Sequence, residues 1–113
     1  MPFINTKTNT VISQTKEVAI KEKLGRAITA LGKSEGWLML NFEDECRMWF
    51  KGNNDTNMAI IEVSLYGTAT DAGYDKMTAE ITEIISKELD IAPSNIYVKY
   101  QEIEHWGWNG SNF

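Results

Sequence analysis

Pro2 is the residue whose type and position could do chemistry unaided. Initiator methionine is normally removed before a small residue, and proline qualifies. Pro2 would then be the N-terminus, with a secondary amine for its nitrogen. A free α-amine titrates at about 7.7–8.0. Burial among apolar groups, or a lysine close by, lowers that value. A base poised near neutrality is what removal of a proton next to a carbonyl requires. The Met-Pro dipeptide alone is weak evidence, because many chains begin this way without consequence.

The remaining composition removes competing chemistries. Cys46 is the only cysteine and His105 the only histidine. An intrachain disulfide is impossible, and a structural zinc site lacks ligands. No nucleotide motif is present, so neither a metal nor a cofactor is expected. The net charge is −5. The densest basic region, Lys16, Lys21, Lys23 and Arg26, is interrupted by Glu17 and Glu22. That pattern argues against nucleic acid as a partner. Apolar runs are too short to span a membrane. The first residues lack the basic and apolar regions of a secretory signal. The cytoplasm is therefore the expected location, with export by a route that needs no signal left open.

Any chemistry at Pro2 depends on the elements that hold it. The 113 residues suit one domain, 1–113, and 42% hydrophobic with 24% charged residues suits a folded chain. Pro2 to Asn5 reads as a strand and Thr6 to Ser13 as a polar loop. Ser13 can cap a helix whose apolar residues recur at Ile20, Leu24, Ala27, Ile28 and Leu31. Gly32 stops it. Trp37 to Phe42 reads as an apolar strand, Met48 to Phe50 as a second short one, and Lys51 to Asp55 as a turn. Met58 to Tyr66 reads as a long strand. Asp71 is a candidate cap for a helix with the stripe Tyr74, Met77, Ile81, Ile84 and Ile85. Pro93 ends the helical region, and Ile96 to Tyr100 is the last strand.

The halves resemble each other. At one constant offset Leu31 falls on Leu89, Leu38 on Ile96, Leu40 on Val98 and Phe42 on Tyr100. The strands near Ile4 and Glu62 follow at the same offset. Chance similarity between two amphipathic segments is the competing explanation. Two strand–helix–strand units with right-handed crossovers give an α+β domain, a four-stranded sheet with both helices on one face. Apolar strands would leave the opposite face in need of cover, which predicts an oligomer.

Further residues sharpen the picture. The tail reads Trp106-Gly107-Trp108-Asn109-Gly110-Ser111-Asn112-Phe113. Leu31-Gly32-Lys33 precedes the second strand, and Ile96-Tyr97-Val98-Lys99-Tyr100 forms the last. With the start Met1-Pro2-Phe3-Ile4, these resemble the macrophage migration inhibitory factor family of tautomerases over the whole chain. The start and the Gly-Trp-Asn-x-Ser-x-Phe ending are specific in combination, while the middle matches only in pattern. The resemblance implies a homotrimer of ββαβ-repeat subunits around a central channel, with active sites between neighbours. It implies that Pro2 shuttles a proton during keto–enol tautomerism of phenylpyruvate-like keto acids. It implies that Lys33 binds the substrate carboxylate and favours a neutral amine, and that Tyr97 reaches in from the next subunit. Tyr66, Trp106, Trp108 and Phe113 fall where the family lines its apolar pocket.

Two positions depart from the pattern. Tyr66 replaces a small aliphatic residue, which narrows the pocket or adds a hydroxyl. Lys99, counted with the substrate-binding set, stands where many members carry asparagine, and a second cation there could strengthen carboxylate binding or disturb the Pro2 pKa. The CxxC of vertebrate members is absent, so no thiol oxidoreductase activity is implied.

Plainer roles exist for each residue. Lys33 follows a helix C-terminus, where a cation is favoured anyway. Tyr97 could be a core residue. Trp106 and Trp108 could pin the tail. Cys46 and His105 read as bystanders, although His105 could touch the pocket rim. The alternative function is a cytokine-like protein that engages a host receptor, with a vestigial pocket. Decarboxylation or hydration ranks third, because no arginine stands at the aligned positions.

Overall fold

The computed structural model describes residues 1–113. Strand β1 (Pro2–Thr8) leads to helix α1 (Gln14–Ala27), and β2 is Met39–Glu43. The second unit is β3 (Ala59–Tyr66), α2 (Asp71–Leu89) and β4 (Ile96–Ile103). The four strands pair in the order β2-β1-β3-β4. β1–β2 and β3–β4 are parallel, and β1–β3 in the centre is antiparallel. Each parallel pair is therefore joined through its own helix.

Local chemistry explains the helix ends. The Ser13 hydroxyl accepts the Lys16 N–H at 3.2 Å and caps α1. α1 ends at Ala27, and a tighter turn carries the chain through Ile28–Leu31 to Gly32 at φ 72°. The cap of α2 is Thr70, whose hydroxyl accepts the Gly73 N–H at 3.0 Å; Asp71 is the first helical residue. α2 ends at Asp90 in the left-handed conformation, so Pro93 follows the break rather than causing it.

Alternation in the central strands builds the core. Ile4 on β1 and Ile61 and Val63 on β3 pack against Ile20, Leu24 and Ile28 of the first unit and Met77, Ile81 and Ile85 of the second. α2 approaches the turn after α1 so closely that a Cβ on Gly73 would stand 2.7 Å from the Ala30 carbonyl oxygen.

The internal repeat holds with one correction. Leu40 pairs with Ile4, and Val98 pairs with Ile61. β2 thus maps onto β4 at the expected offset, whereas Ile4 of β1 maps onto Ile61 of β3, one position short of Glu62. The expected match of Ile4 to Glu62 would put an isoleucine and a glutamate on the same face, because a one-residue slip exchanges the faces of a strand.

Three other expectations change. Met48–Phe50 is not a strand; Phe50 only pairs with Asn53 across a turn at Lys51 and Gly52. Trp37 lies in a short 3₁₀ turn, Glu35–Trp37, ahead of β2. The uncovered face of the sheet is polar in its middle rather than apolar. Asn5 donates to Glu43 at 2.8 Å, Asn41 donates to Asn5 at 2.8 Å, and Glu62 pairs with Lys7 and Lys99. These residues alternate with the buried ones, so strands that look apolar as a run are amphipathic in space. Large exposed apolar groups sit instead near the strand ends, at Met39, Trp49 and Tyr97.

Candidate functional site

β1 and β2 begin side by side, and β3 and β4 finish beside them. The tail folds back over this end as a hairpin. Gly107–Trp108 pairs with Ser111–Asn112 around Asn109 (φ 52°) and Gly110 (φ 85°). A cavity of about 930 Å³ lies between these parts. Pro2, Phe3, Trp37, Ile103, Trp106 and Trp108 contribute to its wall, and so does His105.

Lys33 follows the left-handed Gly32, which turns the chain back toward the start of β1. Its ammonium donates to the Tyr66 carbonyl at 3.0 Å. The Tyr66 N–H donates to the Met1 carbonyl at 2.9 Å. The peptide group that precedes Pro2 is therefore held beside the lysine by both backbone groups of one residue. The Met1 amine is lowered from its ordinary value of 8.0, first by burial and then by the nearby Lys33 ammonium. With Met1 in place the Pro2 nitrogen is an amide and no base. Loss of Met1 would free the Tyr66 N–H and leave a new amine at Pro2, which is itself buried.

Aromatic rings form a ladder over this end. The Tyr66 and Phe113 rings are 5.5 Å apart, Phe113 stacks on Trp108 at 6.4 Å, and Trp108 meets Trp37 edge-on at 5.0 Å. The Phe113 N–H donates to the Trp106 carbonyl at 3.0 Å, which fixes the hairpin base. Trp108 thus both lines the cavity and pins the tail, whereas Lys33, Tyr66 and Phe113 are not part of the cavity wall. The place of Trp37 in an apolar run hides it in the sequence. Gly36 before it is the available signal that the strand has not yet begun.

Tyr97 and Lys99 lie elsewhere. Pro2 pairs with Leu65 and Tyr97 pairs with Ile60. The stretch of β3 from Ile60 to Leu65 separates the two, roughly 16 Å at strand spacing. The Tyr97 ring packs on Phe50 at 5.0 Å and is 59% exposed. Lys99 is on the open face, 3.2 Å from Glu62. Within one chain neither residue joins Pro2. No group of three or more His, Cys, Asp or Glu side chains could hold a metal ion. No helix is long and apolar enough to cross a membrane.

This arrangement has close parallels. The family model described as macrophage migration inhibitory factor matches residues 1–113. The crystal structure of MIF2 from Leishmania major is 32% identical, with a TM-score of 0.93 over 100% of this chain and 97% of that one. The macrophage migration inhibitory factor homologue of Prochlorococcus marinus is 24% identical, with a TM-score of 0.88 over 98% of each chain. That of Toxoplasma gondii is 20% identical, with a TM-score of 0.89 over 98% of this chain and 99% of that one. No curated protein matches by sequence. On a match that spans every residue and a fold shared throughout, the chain belongs to the macrophage migration inhibitory factor family.

Proposed function

We propose that the chain, once Met1 is removed, is a cofactor-free keto–enol tautomerase for phenylpyruvate-like acids. The observation that carries this reading is the junction of Met1, Lys33 and Tyr66. Burial and the Lys33 charge depress the amine at this point of the chain. A Pro2 amine would be freed beside the same Lys33 ammonium, at a residue that is itself buried. A neutral amine can take the proton from the carbon beside the substrate carbonyl and return it to the carbonyl oxygen, which gives the enol and restores the amine.

Lys33 spends one N–H on the Tyr66 carbonyl. Two donors remain for a carboxylate. The Tyr66 N–H, without the Met1 carbonyl, is a third donor in the same place. The aromatic ladder and the wall from Phe3 to Trp108 suit an aryl group.

The reading includes a homotrimer. Tyr97 is exposed at the far end of the sheet, and Met48–Phe50 has strand-forming residues but no strand partner. The outer strand β2 has a free edge near Met39. Head-to-tail contact would bring the Tyr97 end of one copy to the Pro2 end of the next, and such contacts make a ring where the rotation closes after three copies.

The test is phenylpyruvate tautomerisation by protein whose intact mass confirms loss of Met1. Pro2→Gly should lower turnover sharply while the circular dichroism spectrum is retained. Undiminished turnover in that variant overturns the proposal.

A further inference from the structure

One carboxylate on the open face stands between two ammonium groups. Glu62 is 2.9 Å from the Lys7 Nζ and 3.2 Å from the Lys99 Nζ. The Lys7 hydrogen bond is the largest influence on the Glu62 carboxyl, which is held below its ordinary value. Lys7 also feels Glu43, whereas the one ion pair of Lys99 is with Glu62. The Lys99 side chain is 63% exposed and that of Glu62 only 25%. Lys99 can therefore leave Glu62 without stranding a buried charge, because Lys7 remains.

Lys99 stands two residues after Tyr97 on the same face of β4. Beside Tyr97 is an apolar recess of about 170 Å³, lined by Met48, Trp49, Phe50, Met58 and Ile60. This end of the molecule thus offers an aromatic surface, a phenol and a releasable cation. The Pro2 end offers Lys33 for a carboxylate.

Resting on the tautomerase reading and its head-to-tail assembly, we propose that Lys99 is a specificity-determining cation that selects 2-oxo acids bearing a second anionic group. Lys33 holds the carboxylate next to the reacting carbonyl. Lys99, arriving with Tyr97 from a second copy, meets the distal anion and exchanges Glu62 for it. Glu62 stays neutralised by Lys7.

The experiment compares kcat/KM for phenylpyruvate and for its 4-carboxy derivative, using protein without Met1. The wild-type chain should favour the diacid about fivefold, the size of a partly exposed ion pair, and the preference should shrink with salt. It should lie in KM. Lys99→Gln should bring the ratio to about one, and Lys99→Arg should retain it. Glu62→Gln should raise the ratio, since it removes the competing anion; a merely structural role for Lys99 predicts no such gain. A ratio insensitive to Lys99→Gln, or a wild-type preference for phenylpyruvate, overturns the role of Lys99 alone. Turnover of neither compound overturns the tautomerase reading with it.

Discussion

The two ends of the sheet are built alike and equipped differently. β1 starts after Met1 and β3 starts after Met58, and the two methionines correspond in the repeat. The Met1 carbonyl accepts from the Tyr66 N–H at 2.9 Å, and the Met58 carbonyl accepts from the Asn9 N–H at 3.4 Å, the same bond with the halves exchanged. At Met58 the Thr8 hydroxyl adds a second bond of 2.7 Å and the chain runs on. At Met1 the chain begins. Past each helix the repeat places a left-handed residue, Gly32 or Asp90, and then Lys33 or Ile91. Lys33 reaches the backbone of Tyr66, whereas Ile91 is 1% exposed in the core. The fold thus makes two equivalent strand-start ends. They differ in that the first carries Lys33 where the second carries the core residue Ile91.

The sharpest way to break this comparison uses both ends at once. Pro2→Gly should lower kcat/KM by about 10²–10⁴, the usual worth of a general base. Tyr97→Ala alters the other end and should also lose most turnover if Tyr97 enters the site of the next copy. If one site draws on both ends of different copies, mixing the two inactive variants should restore about a quarter of wild-type activity after random subunit exchange. Exchange confirmed by mass spectrometry without recovery would dismiss the head-to-tail arrangement.

Making the second end resemble the first should cost stability. Ile91→Lys places an ammonium where the side chain is 1% exposed. A loss of about 3 kcal/mol or more is expected, seen as a lower urea midpoint. A neutral result would mean that the α2–β4 connection is looser than its packing indicates.

The converse change, Lys33→Ala, removes the cation that acts on the chain start. KM for an arylpyruvate should rise about 10- to 100-fold, as for a lost charge-assisted hydrogen bond. The pH dependence supplies a second readout. The Pro2 base works when neutral, so kcat/KM rises with pH through its pKa. Lys33 lowers the Met1 amine, after burial, and the proposed Pro2 amine would lie beside the same ammonium. Without Lys33 the acidic limb of the profile should move to higher pH; a limb that stays put would assign the depression to burial alone.

How much of this is legible in the sequence follows from what periodicity can carry. Ile20 to Leu31 and Met77 to Leu89 announce their helices, because one buried face repeats every three or four residues. β-Propensity announces Met48–Phe50 as well, but it cannot supply the strand that would pair with it. Polar Gln101 and Glu102 make the last strand read as ending at Tyr100, although β4 runs to Ile103. The runs Trp37–Phe42 and Met58–Tyr66 make the open face read as apolar; only the pleat separates Asn41 and Glu62 from their buried neighbours. Pro2 is singled out by its type and position, and Lys33 and the tail residues by resemblance; Pro2, Trp106 and Trp108 line one cavity, while Lys33 bonds the Tyr66 carbonyl. The separation of Tyr97 from Pro2 is out of reach of the sequence, because it depends on β1 and β3 running antiparallel.

The smallest expected effect concerns the central strands themselves. Thr6 on β1 corresponds in the repeat to Val63 on β3; they are 0% and 1% exposed. The Thr6 hydroxyl has no hydrogen-bond partner, whereas Thr8 bonds the Met58 carbonyl. An unpaired buried hydroxyl costs about 1 kcal/mol or more relative to an apolar group of the same shape. Valine is nearly that shape and keeps the β-branch that suits a strand. Thr6→Val should therefore raise the stability of the chain by about 1 kcal/mol, measured as a higher urea midpoint at constant slope. A stability unchanged or lowered would mean that a bound water or a shifted rotamer already satisfies the hydroxyl, and that the two central strands differ in more than one atom.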